Sequence, residues 1–443
     1  MPLKIYNTLS KEKETFKPLN KKKVNIFVCG PTVYNFAHLG HAKTYVQFDV
    51  AVKYLRYFGY DVFYLQNITD IDDKIIKKAD SEGIGYKEVV EKYRREYFKD
   101  MNSLGVDSVT KYANATDYIN EIVSQVERLI QKGYAYKISD GYYFDLSKDE
   151  DYGKLAGRTT LGADDSVSRI DENDEKKNSG DFCLWKFRKD NEPYWKTKLG
   201  EGRPGWHIED TAITEKEFGS QYDVHGGATD LIFPHHEAEI AQMESISGKK
   251  PLVRYWMHTG FLKINKEKMS KSLGNFSTIR DILKNYSPEV LRYLFISVHY
   301  RKPIDFSKET LENAKSSWVR LKNICENLEK DKKINEKYLK EFEKSMNDDF
   351  NTSKALQVLW KLVRDEKAKG KYGAIKKMDK VFGFRLFNKE KIEIPLKVRK
   401  LAEEREKYRK EKNWTKSDEI RSKIKDLGYE ILDDKDGWEI KKV

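Results

Sequence analysis

The stretch FPHHEAE at 233–239 sets two adjacent histidines and two carboxylates together in a chain with eight histidines in all. Pro234 suits the opening turn of a helix, where its missing N–H would have no partner anyway. On a helix opened there, His235 and Glu239 stand four residues apart on one face, so an imidazole and a carboxylate can share a metal ion such as zinc. By the same spacing His236 and Glu237 point to other faces and read either as groups standing behind the ligands or as surface groups. In HLGH, His38 and His41 fall where an apolar strand hands over to a helix. Free backbone N–H groups and the positive dipole end bind phosphate at such a place, and two imidazoles add donors to oxygens that gain charge at a reacting phosphorus. In KMSKS at 268–272, Lys268 and Lys271 flank small residues on a loop that could close over a triphosphate. Taken singly, each pattern is as well explained by a capped surface helix or a solvated basic loop.

These groups need a scaffold. VNIFVCG at 24–30 reads as a buried strand ended by Gly30-Pro31. Val46, Val50, Leu55 and Phe58 then recur at helical spacing up to Gly59, and DVFYLQNI at 61–68 is a second strand, which makes a parallel βαβ unit. The segment 135–200, with GYYFDL and the charged DENDEKKN, breaks that pattern and reads as an insertion, after which YDVHGG and the helix behind Pro234 resume it. GEGRPG at 200–205 matches GxGxxG, but the proline inside it and the lack of a clear strand before it make it a false positive. From about 282 onward amphipathic helices dominate, among them LENAKSSWVRLKNICENLEK and SKALQVLWKLVRDEKAK. A linker near FNKEKIEIP precedes a charged helix from about 397, a second from Thr415, and a hairpin in GYEILDDKDGWEI turning at 434–437. The fold expected is α/β, with a Rossmann-type parallel-sheet catalytic domain split between 1–134 and 201–281. A connective insertion fills 135–200, a helical region 282–385, and a small terminal domain 386–443.

Composition narrows the function. With 39% apolar and 35% charged residues the chain reads as a charge-rich globular protein, and no run nears the ~18 apolar residues of a membrane span. Three cysteines (Cys29, Cys183, Cys325) without a CxxC, and an N-terminus without an apolar secretion signal, lead us to expect a reducing cytoplasm. The net charge of +12 would attract a polyanion, usually nucleic acid, although lysine richness alone gives the same number. All eight histidines lie between 38 and 299, which places a polar site on the α/β body.

HxGH followed some 230 residues later by KMSKS, around a split parallel sheet, resembles the signature pair of class I aminoacyl-tRNA synthetases. FVCGPTVYNFAHLGH, NITDIDDKII, DFCLWK, GRPGWHIED, HGGATDLIFPHHEAEIAQ and HYRKPIDF together resemble the cysteinyl-tRNA synthetase family over nearly the whole chain. The resemblance implies a two-step reaction. L-cysteine and ATP give cysteinyl-adenylate, and the cysteinyl group then passes to the 3′ end of tRNA-Cys. It also implies roles: His38, His41, Lys268 and Lys271 at the phosphates, His225 and Asp230 at the adenosine, and Cys29, Thr69 and Trp206 at the cysteine pocket. Magnesium should accompany ATP. The family's single zinc, held by two cysteines, a histidine and a glutamate, maps to Cys29, position 210, His235 and Glu239. Here GWHIED departs from the family's GWHIEC, so Asp210 stands where a second thiolate is expected. Asp210 either ligates through oxygen or stands behind a three-residue site. A metal would serve discrimination: cysteine and serine differ by one atom, which a plain pocket separates by only ~1–3 kcal/mol.

From Lys397 to Lys425 there are 12 Lys/Arg against 6 Asp/Glu, with Tyr408 and Trp414 among them. Basic groups beside aromatics suit an unpaired RNA loop, and the segment is similar to the family's anticodon-binding end. Two rival functions remain at this stage: a ligase passing cysteine to a small amine, as in the related mycothiol ligases, and a non-catalytic RNA-binding paralogue. A monomer is expected.

Overall fold

The computed structural model describes residues 1–157, 173–264, 267–268, 277–388, 395–434 and 437–442. Residues 1–386 form one compact unit and 387–443 another. The centre of the first is a five-stranded, wholly parallel sheet. Its strands are β1 (Lys23–Val28), β2 (Asp61–Ile68), β3 (Lys111–Asn114), β4 (Tyr222–Ala228) and β5 (Val253–Thr259), in the order β5-β4-β1-β2-β3. Chain order runs outward from β1 to β3 on one side and from β4 to β5 on the other, so the direction of winding switches between β1 and β4. Open α/β sheets bind ligands at the carboxyl ends of the strands beside such a switch.

Helix α1 (Leu39–Tyr57) follows β1 and crosses to β2, closing the βαβ unit read from the sequence. It is buried on most of its circumference, with Tyr45, Val46, Phe48, Val50, Val52 and Tyr54 almost fully enclosed. A helix enclosed on all sides belongs between layers, and α1 indeed packs against the sheet and also against the helices Pro288–Ser297 and Lys371–Phe382. Arg292 locks that junction. Fully buried, it pairs with buried Asp49 of α1 and donates to the carbonyls of Leu104, Gly105 and Phe382.

Between β3 and β4 the chain leaves the parallel sheet. The strands Ala135–Ile138, Gly141–Phe144, Cys183–Phe187, Trp195–Thr197 and Gly200–Pro204 form a separate antiparallel sheet. The GEGRPG stretch is itself an inner strand here, paired with Cys183–Phe187 on one side and Trp195–Thr197 on the other, and its glycines admit neighbours rather than phosphate. A Cβ on Gly202 would stand 2.2 Å from the Lys186 carbonyl oxygen, and one on Gly205 would stand 1.9 Å from that of Cys183. The chain then re-enters through α2 (Ile208–Phe218), β4 and α3 (Glu237–Ser247).

Beyond β5, Leu262–Ile264 pairs in parallel with Ile304–Phe306 and antiparallel with Glu267–Lys268. For KMSKS, only the backbone of Lys268 is described, opposite Lys263; Lys271 lies outside the described residues. In the second unit, Leu396–Lys410 and Trp414–Asp426 form a helical pair and Tyr429–Asp434 pairs with Gly437–Lys442. Val398, Ala402, Ile420, Ile424, Ile431 and Ile440 supply its core. Among the described residues no helix is long and apolar enough to cross a membrane.

Candidate active site and metal-binding cluster

A cleft of about 420 Å³ opens at the carboxyl ends of β1, β4 and β5, lined among others by Cys29, His38, His41, Lys43, Trp206 and Asp230. A larger but open depression on the helix Lys308–Glu326 offers neither histidine nor cysteine, so the chemistry belongs to the first. His38 is the N-cap of α1 and His41 its third residue. The His41 backbone N–H donates to His38 Nδ1 at 3.3 Å, and the His38 N–H donates back to His41 Nδ1 at 3.4 Å. This is the reciprocal capping arrangement, built here from two imidazoles. Because each Nδ1 accepts, the neutral ring carries its proton on Nε2, and each imidazole presents an N–H donor. The rings stack at 3.7 Å. Desolvation, then the neighbouring His38, pushes the His41 pKa well below the ordinary value, so the ring acts as a neutral donor.

Behind the cleft wall at Cys29 and Trp206 four donors converge. Cys29 follows β1, Asp210 lies in the first turn of α2, and His235 and Glu239 flank the start of α3. One ligand atom of each falls within 4.8 Å of all the others. His235 Nε2 stands 3.0 Å from Asp210 Oδ2 and 3.3 Å from Glu239 Oε1, which is itself 4.0 Å from Cys29 Sγ. All four are buried. Burial raises the Cys29 thiol well above its usual pKa, and the charges of Asp210 and Glu239 raise it further; burial, Asp210 and Glu209 do the same to Glu239. Three acidic groups surround the His235 imidazole, and Asp210 Oδ1 and Glu239 Oε2 are buried without hydrogen-bond partners, an arrangement a cation would satisfy. The donor set S, O, N, O is one that zinc accepts.

Several expectations change on contact with the structure. Pro234 does not open the helix. Residues 232–236 form one wide turn in which Phe233 is extended, and the α-helix begins at Glu237. His235 still meets Glu239, and of the two places open to His236 the surface is excluded: it is fully buried behind Cys29, with Nε2 3.2 Å from Cys29 Sγ. Glu237 is buried too and accepts the N–H groups of Gly153 and Ala156, tying the insertion to α3. His225, expected at the adenosine, is fully enclosed in β4 and does not line the cleft; its Nε2 stands 3.3 Å from Cys29 Sγ. Asp230 and Trp206 do line the cleft, and Trp206 stacks on His235 at 4.4 Å. Thr69 is buried away from it, its hydroxyl donated to Glu209.

Four participants escaped the sequence reading. Glu209 accepts from Thr69 and, buried beside Asp210, has its carboxyl pushed well up in pKa. His207 contacts His235 through their Nδ1 atoms at 2.7 Å, and His258 contacts His236 at 2.8 Å. Lys43 sends its buried ammonium to the carbonyls of Gly260 and Tyr300 and to Gln47, and burial lowers its pKa to about 7. One signal was available: polar residues at the carboxyl ends of consecutive parallel strands mark a site, and His258 holds such a position in β5.

The sheet order, the switch between β1 and β4, and HxGH capping the first helix define a class I aminoacyl-tRNA synthetase. Residues 15–316 match the family described as tRNA synthetases class I (C) catalytic domain, and 341–387 match the DALR domain. The chain belongs to the cysteine–tRNA ligase family. It is 44% identical to the cysteine–tRNA ligase of Methanococcus maripaludis over 480 residues, covering 100% of this chain and 99% of that one. It is 56% identical to that of Thermoplasma acidophilum over 313 residues, 71% of this chain and 69% of the relative. In fold it is similar to Mycobacterium tuberculosis methionyl-tRNA synthetase in complex with methionyl-adenylate, with a TM-score of 0.58 at 16% identity, covering 83% and 88% of the two chains.

Proposed function

We propose that the chain activates L-cysteine with ATP and esterifies it to the 3′ end of tRNA-Cys, as a cytoplasmic monomer. The cysteine carboxylate attacks the α-phosphorus, a P–O bond forms, and pyrophosphate leaves. The terminal adenosine hydroxyl then attacks the activated carbonyl and releases AMP. His38 and His41 present Nε2–H donors toward the phosphates, where they stabilise charge that grows during transfer. Lys268 and Lys271 bring further positive charge, and Asp230 on the cleft wall faces the nucleoside. Magnesium arrives with ATP. No side chain serves as nucleophile, so positioning and electrostatics carry the rate.

Cys29, Asp210, His235 and Glu239 would hold one zinc ion, with Trp206 against His235 forming the wall on the substrate side. When bound, zinc supplies affinity for the substrate's sulfur and favours its thiolate. Thr69 and Glu209 buttress the pocket from behind rather than touch cysteine. In the second unit, exposed Trp414 is placed to stack on an unpaired base. Tyr408, by contrast, packs on the local core beneath Lys416.

The observation that carries this reading is the meeting of four metal donors directly behind the wall of the cleft that His38 and His41 line. Cysteine-dependent ATP–pyrophosphate exchange, followed by cysteinylation of transcribed tRNA, tests it. If serine supports exchange as well as cysteine does, metal-based selection fails. If exchange proceeds but transcribed tRNA stays uncharged, the acceptor is wrong.

A further inference from the structure

We propose that the metal pocket has two overlapping seats, and that Cys29, His225, His236 and Glu239 form the second, able to hold one zinc-like ion without Asp210. This rests on the reading above that the chain carries an ion between Cys29 and Glu239.

The four ligand atoms of this second set also lie within 4.8 Å of one another, and all four residues are buried. Cys29 Sγ stands 3.3 Å from His225 Nε2 and 3.2 Å from His236 Nε2. Zinc bonds of about 2.0–2.3 Å at tetrahedral angles place neighbouring donors roughly 3.3–3.6 Å apart. The two sulfur–nitrogen separations therefore already suit a shared ion. The carboxylate is at hand as well. Glu239 Oε1 faces Cys29 at 4.0 Å and His235 at 3.3 Å, so it is the oxygen the two seats would share, whereas Oε2 lies 3.5 Å from His225 Nδ1, on the far side of that ring from Cys29.

The orientation of the imidazoles points the same way. Metal-bound histidines are held through their other ring nitrogen. His225 Nδ1 is 2.7 Å from the Tyr222 hydroxyl. His236 Nδ1 is 2.8 Å from His258 Nε2, and His258 Nδ1 is 2.8 Å from the Thr8 hydroxyl. If each Nδ1–H donates outward along these contacts, both Nε2 lone pairs face Cys29. A single thiol proton can satisfy only one of two such nitrogens, whereas a cation satisfies both together with the thiolate.

Donor chemistry gives the second seat its use in this chain. With an aspartate at 210 the first set is S, O, N, O; the second is S, N, N, O, the softer set and the better match to zinc. Four protein donors make it a closed position. Because Cys29 and Glu239 serve both, the ion occupies one seat or the other.

The test uses the full chain stripped by chelator and reloaded with zinc alone or cobalt(II) alone. It reads metal content after gel filtration and the sulfur-to-cobalt absorption band. Wild type, Asp210→Ala and His236→Asn are each expected to retain about one ion with the thiolate band, since either seat suffices. Asp210→Ala/His236→Asn is expected to lose at least about tenfold in retained metal, a typical cost of removing a ligand's support. Asp210→Ala/His225→Asn should repeat that loss, and melting curves show whether each variant is folded. An empty Asp210→Ala protein beside a loaded wild type overturns the second seat and leaves the first intact. Fully loaded double variants overturn it as well. A wild type that takes up no metal overturns instead the reading on which it rests.

Discussion

His41→Asn separates catalysis from architecture at the HxGH turn. Asparagine can still accept the His38 N–H through its side-chain oxygen, so the reciprocal cap survives in part, and a lost cap costs only ~1 kcal/mol. What disappears is the Nε2–H donor and the 3.7 Å ring stack that holds it in place. One donor aimed at charge that develops in the transition state is worth about 2.7–4 kcal/mol, or 100- to 1,000-fold in rate. Because that charge is weaker in the ground state, kcat and kcat/KM for ATP should fall together, with KM nearly constant. Steady-state ATP–pyrophosphate exchange at saturating cysteine measures both constants, and thermal melting checks that the fold persists. An unchanged kcat, or a raised KM for ATP with kcat intact, would refute the assignment of His41 to the reacting phosphate.

Trp414→Ala should raise KM for tRNA by about tenfold, within the ~1–3 kcal/mol of one base–aromatic stack, and leave cysteine-dependent exchange unaltered. Arg292→Met should cost about 3 kcal/mol in urea unfolding, because Asp49 stays buried; Lys53 at 2.8 Å and the Ser108 hydroxyl keep the loss at the low end for a broken buried pair. His299, held at a pKa of about 4 by burial against the opposing pull of Asp349, takes up its proton in the unfolded chain near pH 6.5 but not in the folded one. Stability should therefore fall by roughly 2–3 kcal/mol as pH drops from about 6.5 to 4. His299→Gln should flatten that part of the curve in urea melts at several pH values, and an unchanged slope would show that other groups govern it.

The βαβ unit was legible because β1, α1 and β2 obey simple rules: a buried apolar run, a 3.6-residue period, and glycine or proline at the ends. The pair His235–Glu239 was legible for a different reason, since four-residue spacing brings them together even though the regular helix starts at Glu237, three residues past Pro234. The burial of His236 was not fixed by a regular helix from Pro234, and His225 was expected at the adenosine only because the family resemblance implied it. The wide turn at 232–236 instead rotates His236 beneath Cys29, and the neighbouring strands enclose His225. Glu209 and Lys43 could not have been found by periodicity, as both are charged residues in the interior that make sense only once Thr69 and the Gly260 carbonyl are brought beside them.

The insertion interrupts the central sheet between β3 and β4, and the donors of the proposed metal cluster come from positions 29, 210, 235 and 239 on both sides of that interruption. During synthesis the first thiol must therefore wait for some two hundred further residues to leave the ribosome before its partners exist. Until β4 docks beside β1, that sulfur borders an unpaired strand edge and is open to oxidants and stray metal. On the proposed zinc reading, capture of the ion is a late event in biogenesis, coupled to closure of the sheet rather than to formation of its first half.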